Sequence, residues 1–376
     1  MAESGRPRWG PGTDESQELG TGKASADLYR DAERYELERT RLFRRVWHVA
    51  GHAAELPEPG DHLLWERVGQ SVLIVRKADG SLAAFHNVCR HRGARIVRES
   101  GHSPSGRFTC PFHAFVYGED GCVVHVPERE TFDANQIADL RAEPVAVEAW
   151  GGWLWIHLEP SVAPPLAEFL GELDGELSWY GMEDWRYAGG SIYQAEANWK
   201  VVLEGFLEAW HTPTVHANST RGGFDVPRST FSSFPPHSMM VVPLTALDID
   251  SAPEPVEHRQ YADCQYLLFP NAFLNMFPDQ GYLITVHPTG IDRAICQGFV
   301  VARRTAPEGV GQDAWDRSVE TSIGVMDRIM GEDLEIASEI SRNRESVGYR
   351  ENLYNTLECR LTAFHENVER YIADDS

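Results

Sequence analysis

The stretch Cys89-Arg90-His91-Arg92-Gly93, followed by Cys110-Pro111-Phe112-His113 with eighteen residues between His91 and Cys110, decides how this chain is read. Each segment offers one cysteine and one histidine. A [2Fe–2S] cluster held by four cysteines is symmetric. Histidines in place of two thiolates on one iron leave that iron less thiolate-rich and raise the reduction potential. Zinc also takes Cys and His. Zinc fingers, however, usually group two cysteines together and two histidines together, rather than one of each per loop. The C-x-H…C-x-x-H pairing therefore favours an iron–sulfur cluster with Cys89, His91, Cys110 and His113 as ligands.

That ligand set is the arrangement of a Rieske centre. Around it run short β-type segments, His62–Trp65, Ser71–Arg76, Leu82–His86, Val123–Val126 and Trp153–Leu158, separated by turns such as Ala78-Asp79-Gly80 and Glu119-Asp120-Gly121. They predict a small all-β domain over 47–160, with both cluster loops between its strands and Pro160 to Pro165 closing it. Before it, 29–46 has the apolar spacing of a surface helix. Residues 1–28 are rich in Gly, Ser, Pro and charge and hold no apolar signal-peptide core, which predicts a disordered tail on a cytoplasmic protein.

Beyond the prolines, 161–376 is mixed. β-type runs at Ser238–Leu247, Gln265–Phe269, Tyr282–Val286 and Ile295–Val301 accompany helical patterns at Trp199–Trp210 and Ala314–Ile340. The expected class is α+β, an antiparallel sheet with a long helix packed on it.

Composition narrows the function. A chain of 376 residues suits about two domains. A net charge of −23 argues against electrostatic binding of nucleic acid. No apolar run approaches the roughly 20 residues of a membrane span. The six cysteines are too few and scattered for a disulfide framework, so Cys122, Cys264, Cys296 and Cys359 read as ordinary buried thiols. Arg90, Arg92, Arg95, Arg98 and Arg107 crowd the cluster loops. Either they are solvated and support the loops, or they form a docking patch for an acidic electron donor.

The second informative stretch runs from Asn198-Trp199-Lys200 to His216. Leu203, Phe206, Leu207 and Trp210 form an apolar stripe expected to face the core. Glu204, Glu208 and His211 lie at i, i+4, i+7 on a neighbouring face, and Pro213 is expected to stop the helix just after His211. The chain can then fold back and bring His216 beside His211. Two such histidines suit a mononuclear Fe(II) site, which adds one carboxylate and leaves positions open. In the late helix, Asp333 shares an apolar stripe with Met326, Ile329, Met330, Ile336, Ala337 and Ile340, while Glu332 and Glu335 are expected to point away. A buried carboxylate needs a cation or strong hydrogen bonds. Iron and an arginine are comparable partners on this ground alone, and the two histidines tip the reading toward iron. Glu208, one turn before His211, is placed to support that histidine rather than to ligate.

Taken together, the sequence resembles the Rieske non-heme iron oxygenases, specifically their large (α) oxygenase subunit. The resemblance runs from about Tyr29 through Leu56-Pro57-Glu58-Pro59-Gly60-Asp61, both cluster loops, Asn198-Trp199-Lys200, Glu208-x-x-His211-x4-His216 and Glu332-Asp333. It implies a Rieske β domain joined to a helix-grip catalytic domain. It also implies a homotrimer, with or without a small β subunit, in which one subunit's cluster serves the next subunit's iron. Carried over, His211, His216 and Asp333 bind the mononuclear iron, and Glu208 bridges His211 to His113 of the neighbouring chain. The second loop departs from the family pattern, with Ala114-Phe115 where a small residue, often Gly, precedes Trp. Glu208 stands where many ring-hydroxylating members carry Asp, and looks more like the quaternary-ammonium branch.

The expected function is the terminal component of an oxygenase system. It uses O2, with NAD(P)H electrons arriving through a separate reductase or ferredoxin, since no convincing Gly-rich dinucleotide fingerprint or flavin domain is present. The leading substrate class is an aromatic or alicyclic small molecule; the alternative is a quaternary ammonium or N-methyl compound. A Rieske electron carrier without catalysis and a zinc-stabilised binding protein are the rivals from other classes.

Overall fold

The computed structural model describes residues 21–253 and 256–373. It divides into two compact units, one spanning Arg44–Phe169 and the other formed by the chain before and after it. The first unit is slightly longer at both ends than the expected 47–160.

In the Arg44–Phe169 unit, a seven-stranded antiparallel sheet runs in the order Trp47–His52, Trp153–His157, Pro144–Trp150, Leu82–His86, Gln70–Arg76, Asp61–Arg67 and Gly101–His102. The strand Gln70–Arg76 is a continuous apolar run, and Val72, Leu73, Ile74 and Val75 are all buried. A strand covered on both faces reads this way. A small sheet of Phe108–Thr109, Val116–Tyr117 and Val123–His125 carries the second cluster loop. Leu73, Val75, Phe85, Phe108, Phe115 and Tyr117 pack in one core with Cys89 and Cys110. The loops thus rest on an apolar floor, which fixes them more firmly than solvated loops would be.

The second unit is a seven-stranded antiparallel sheet in the order Arg186–Ala195, Arg293–Ala302, Gln280–Gly290, Ala272–Met276, Ala262–Leu268, His237–Pro243 and Thr230–Phe234. The helix Gln312–Asn343 lies against it. Close approach depends on Gly298, where a side chain would meet the Met326 sulfur at 2.7 Å. Tyr193 also donates from the sheet to Asp327 on this helix, at 2.7 Å.

Three expectations need correction. The surface helix predicted over 29–46 is broken into Asp27–Arg30, Ala32–Leu37 and a π-turn at Glu38–Leu42. Asp31 interrupts it, capping the second piece by accepting from Glu33 N and Arg34 N. Of the tail expected over 1–28, residues 1–20 lie outside the described residues. Gly22–Ser25, however, forms a strand paired with Glu351–Tyr354. The third correction concerns the helix beginning at Trp199, which ends at Phe206 rather than Trp210.

The segment before Arg44 is bound to that helix through buried polar groups. Asn198 caps the helix by accepting from Lys200 N at 2.9 Å and donates to Tyr29 O and Ile291 O. Lys200 Nζ meets Glu38 Oε1 at 2.5 Å, and Trp199 Nε1 donates to Glu38 Oε2 at 2.8 Å. Burial pushes Lys200 below the usual lysine range, and the Glu38 carboxylate opposes that shift.

Candidate metal centres and substrate cavity

The two cluster loops are built alike. Cys89 O accepts from Gly93 N and Cys110 O from Ala114 N, and each turn closes with the Cys N–H donating further on, to Ala94 O and Phe115 O. Both turns need a left-handed residue, Gly93 at φ +75° and Ala114 at φ +57°. Cys89 and Cys110 are buried, while His91 is half-buried and His113 exposed. Burial pushes the Cys110 thiol up, and the neighbouring Cys89 thiol adds to it. The two histidine rings stand 4.6 Å apart. Tyr117 donates to Cys89 Sγ at 3.2 Å. Phe115, which stands where the family pattern has Trp, stacks on His91 with centroids 4.9 Å apart and so gives that ring an apolar neighbour.

Two buried thiols and two more exposed imidazoles are the donors that would hold such a cluster. The loop arginines are partly neutralised: Arg90 pairs with Glu143 at 2.7 Å, Arg95 with Glu66 at 2.9 Å, and Arg92 lies over the Phe112 ring.

In the second unit, His211, His216 and Asp333 bring three potential ligand atoms within 4.8 Å of one another. His211 Nε2 and His216 Nε2 are 3.2 Å apart, and Asp333 Oδ1 lies 2.9 Å from His216 Nε2 and 3.6 Å from His211 Nε2. The opposite nitrogen of each ring faces a carboxylate, Glu208 for His211 at 2.5 Å and Glu332 for His216 at 2.6 Å. A proton held on Nδ1 leaves the Nε2 lone pair for a metal. No arginine pairs with Asp333 among the described residues. Burial opposes charging His211, but Glu208 and Asp333 outweigh it and raise its pKa; Asp333 and Glu332 raise that of His216 in the same way. The cluster is thus short of positive charge, which a divalent cation supplies.

How the chain reaches this geometry differs from the helical pattern. The Glu208 carboxylate accepts from the backbone N–H groups of Trp210 and His211. The chain therefore leaves the helix and turns, and Pro213 sits in the first turn of a new short helix, Thr212–Val215, instead of stopping the old one. Trp210 is 55% exposed rather than in the core. Glu332, expected to point away, instead reaches His216 and accepts from Ser219 at 2.6 Å. Ile336 and Ile340 are exposed, whereas Met326, Met330 and Ala337 are buried as expected.

A cavity of about 420 Å³ opens in front of the three ligand candidates, lined by His211, His216 and Asp333 together with Phe273, Phe277 and Met330. A second cleft of about 440 Å³ is lined by Glu204, Glu208 and Glu358. Glu208, His211 and Asp333 belong to both walls.

Two family models match the chain. Residues 46–145 match the Rieske [2Fe-2S] domain, and residues 179–374, more than half of the chain, match the ring hydroxylating alpha subunit catalytic domain. The chain belongs to the Rieske ring-hydroxylating alpha subunit family.

Members of this family are oxygenases, so the chain is the oxygenase component of a Rieske system, with a [2Fe–2S] cluster and a mononuclear iron. That excludes the zinc and plain electron-carrier readings. The glycine betaine monooxygenase oxygenase subunit of Chromohalobacter salexigens is 26% identical over 370 residues, covering 87% of this chain and 80% of that protein. Its namesake from Pseudomonas aeruginosa is 32% identical over 190 residues, but the match covers only 50% of this chain and 43% of that one. The toluate 1,2-dioxygenase subunit alpha of Pseudomonas putida is 31% identical over 218 residues, covering 54% of this chain and 47% of that one. The quaternary ammonium Rieske monooxygenase CntA in complex with L-carnitine shares the fold, with a TM-score of 0.79 at 20% identity over 95% of this chain and 97% of that one. The fold of naphthalene 1,2-dioxygenase from Rhodococcus sp. matches with a TM-score of 0.77 at 20% identity, over 94% and 95%. No helix among the described residues is long and apolar enough to cross a membrane.

Proposed function

We propose that Cys89, His91, Cys110 and His113 hold the Rieske cluster, and that His211, His216 and Asp333 hold the mononuclear iron at which a small organic substrate is oxidised with O2. The convergence of two Nε2 atoms and one carboxylate oxygen at the mouth of an apolar-walled cavity carries this reading. The bound iron supplies O2 activation, with electrons arriving through the cluster from a reductase or ferredoxin. The protein's part is positional. Glu208 and Glu332 orient the two imidazoles, three protein ligands would leave coordination positions open, and the cavity gives the substrate a largely apolar wall beside them.

Glu208 supports His211 from the side of the acidic cleft. We read that cleft as the approach for His113 of a neighbouring chain in a homotrimer, with Glu208 as the hydrogen-bonded link. The support is that Glu208 lines the cleft and holds His211 Nδ1 at once.

Single-turnover oxygen uptake by dithionite-reduced, iron-loaded protein tests the reading. Uptake that is lost in His211→Ala and retained by the wild type is expected. Equal uptake in both overturns it.

The substrate class divides between aromatic compounds and quaternary ammonium compounds, as the names of the relatives do. The aromatic walls suit both. A buried carboxylate in the cavity favours the second.

A further inference from the structure

The cavity contains an ionisable group that holding a metal does not require. Asp263 lines it and is 1% exposed. Gln265 Nε2 and Asn275 Nδ2 both donate to its Oδ2, at 2.7 and 3.1 Å. Its Oδ1 has no hydrogen-bond partner among the described residues.

The sheet explains the placement. Asp263 and Gln265 are two residues apart on one strand and so share a face. Asn275 is paired opposite Gln265, and Tyr282 opposite Asn275. These residues make a polar row across three strands, on the wall that the cavity shares with the metal ligands. Phe277 stands 6.4 Å from Phe224 and 6.2 Å from Tyr282 between ring centroids, so three aromatic rings border the same wall.

Burying a carboxylate with one oxygen unmatched is costly unless a cation or donor arrives. Burial raises the Asp263 carboxyl to about 7, although the two amides pull it down. If holding the two amides together were its whole role, an asparagine would serve as well. Among the described residues the lining contains no lysine or arginine, so a substrate carboxylate would find acidic groups and no lysine or arginine to pair with.

We propose that Asp263 is the specificity-determining residue for an organic cation, an amine or quaternary ammonium group seated between Oδ1 and the rings of Phe224, Phe277 and Tyr282. Cations are attracted to both the carboxylate and the aromatic faces. The inference rests on the reading of this cavity as the substrate site, and it goes further by excluding zwitterions whose carboxylate would need a basic partner.

The test is equilibrium binding by titration calorimetry on the full chain, with iron counted in every sample. The probes are choline, its uncharged carbon isostere 3,3-dimethylbutan-1-ol, and glycine betaine, which adds a carboxylate. Choline is expected to bind roughly ten- to hundredfold more tightly than either other probe, the range of a hydrogen bond or contact to a charged group. Asp263→Asn, which can still accept from Gln265 and Asn275, is expected to erase that preference. Phe277→Leu is expected to weaken choline and leave the neutral isostere unchanged. Absent choline binding, equal binding of choline and its isostere, equal binding of glycine betaine, or a preference that survives Asp263→Asn overturns the inference. Such results in protein that holds its mononuclear iron leave the iron-site reading standing; failure to hold that iron counts against the iron site alone.

Discussion

Glu332 Oε2 lies 2.6 Å from His216 Nδ1, on the side of the ring opposite the nitrogen that faces Asp333. Adjacent residues of one helix therefore grip one imidazole at both ends, Asp333 as ligand candidate and Glu332 as orienting partner. Removing such a partner typically costs ten- to hundredfold in metal affinity. Glu332→Gln is expected to lower retention of the mononuclear iron by about that factor, with the cluster's visible spectrum unchanged. Ferrous titration followed by desalting and iron counting checks it, and wild-type retention would discard the role.

Glu208 has the matching place at His211. Glu208→Gln keeps the shape and removes the charge. The expected outcome is a normal cluster spectrum with turnover slowed by at least about tenfold. Steady-state oxygen uptake beside the visible spectrum separates this from a folding defect.

Lys200 and Glu38 test the attachment of the N-terminal segment. Their ion pair is fully buried. Breaking such a pair by removing one partner costs about 3–5 kcal/mol. Glu38→Leu is expected to lower the denaturant midpoint of the second unit accordingly. A midpoint within error of wild type would contradict the assignment.

Ala114 holds a left-handed turn, with φ +57°. A side chain there costs about 1–2 kcal/mol, partly recovered through the smaller entropy of the unfolded chain. Ala114→Gly is expected to stabilise the first unit by about 0.5–1 kcal/mol, read by thermal unfolding of the cluster-loaded protein.

Asp263 gives a pH signature of its own. Its folded pKa is raised to about 7 by burial. The folded state therefore holds a proton that the unfolded chain releases near pH 4, and stability falls as pH rises between those values. The difference in unfolding free energy between Asp263→Asn and wild type should shift in favour of the variant by up to about 4 kcal/mol from pH 4 to above 7. Denaturant curves across that range, in the absence of organic cations, check the sign.

Much of the proposed site was legible because metal ligation restricts residue type and spacing. Cys89, His91, Cys110 and His113 announce themselves in two short loops, and His211 with His216 in one. Asp333 could be picked by helical phase. Glu332 was misjudged by that same rule, because it reaches around the helix to His216 and Ser219, and side-chain length defeats a phase argument. Asp263 was invisible for a different reason. A single carboxylate in a β-strand is informative only when Gln265, Asn275 and the cavity are seen around it.

The fold shows the same division. The strand Gln70–Arg76 and the helix Gln312–Asn343 follow from apolar pattern, since each is long or continuous. Arg186–Ala195 is a long strand holding two adjacent glycines, Gly189 and Gly190, and its pattern is weak. The helix end at Phe206 depends on Glu208 capturing two backbone N–H groups, a competition that periodicity does not register.

The most direct measurement is EPR on anaerobic, dithionite-reduced protein, with iron and sulfide counted on the same sample of wild type and His216→Ala. The account predicts a Rieske-type signal in both. It also predicts about three irons per wild-type chain, two in the cluster and one in the second unit, and about two in the variant. An iron content that His216→Ala leaves unchanged, or a reduced sample without the Rieske signal, would contradict it.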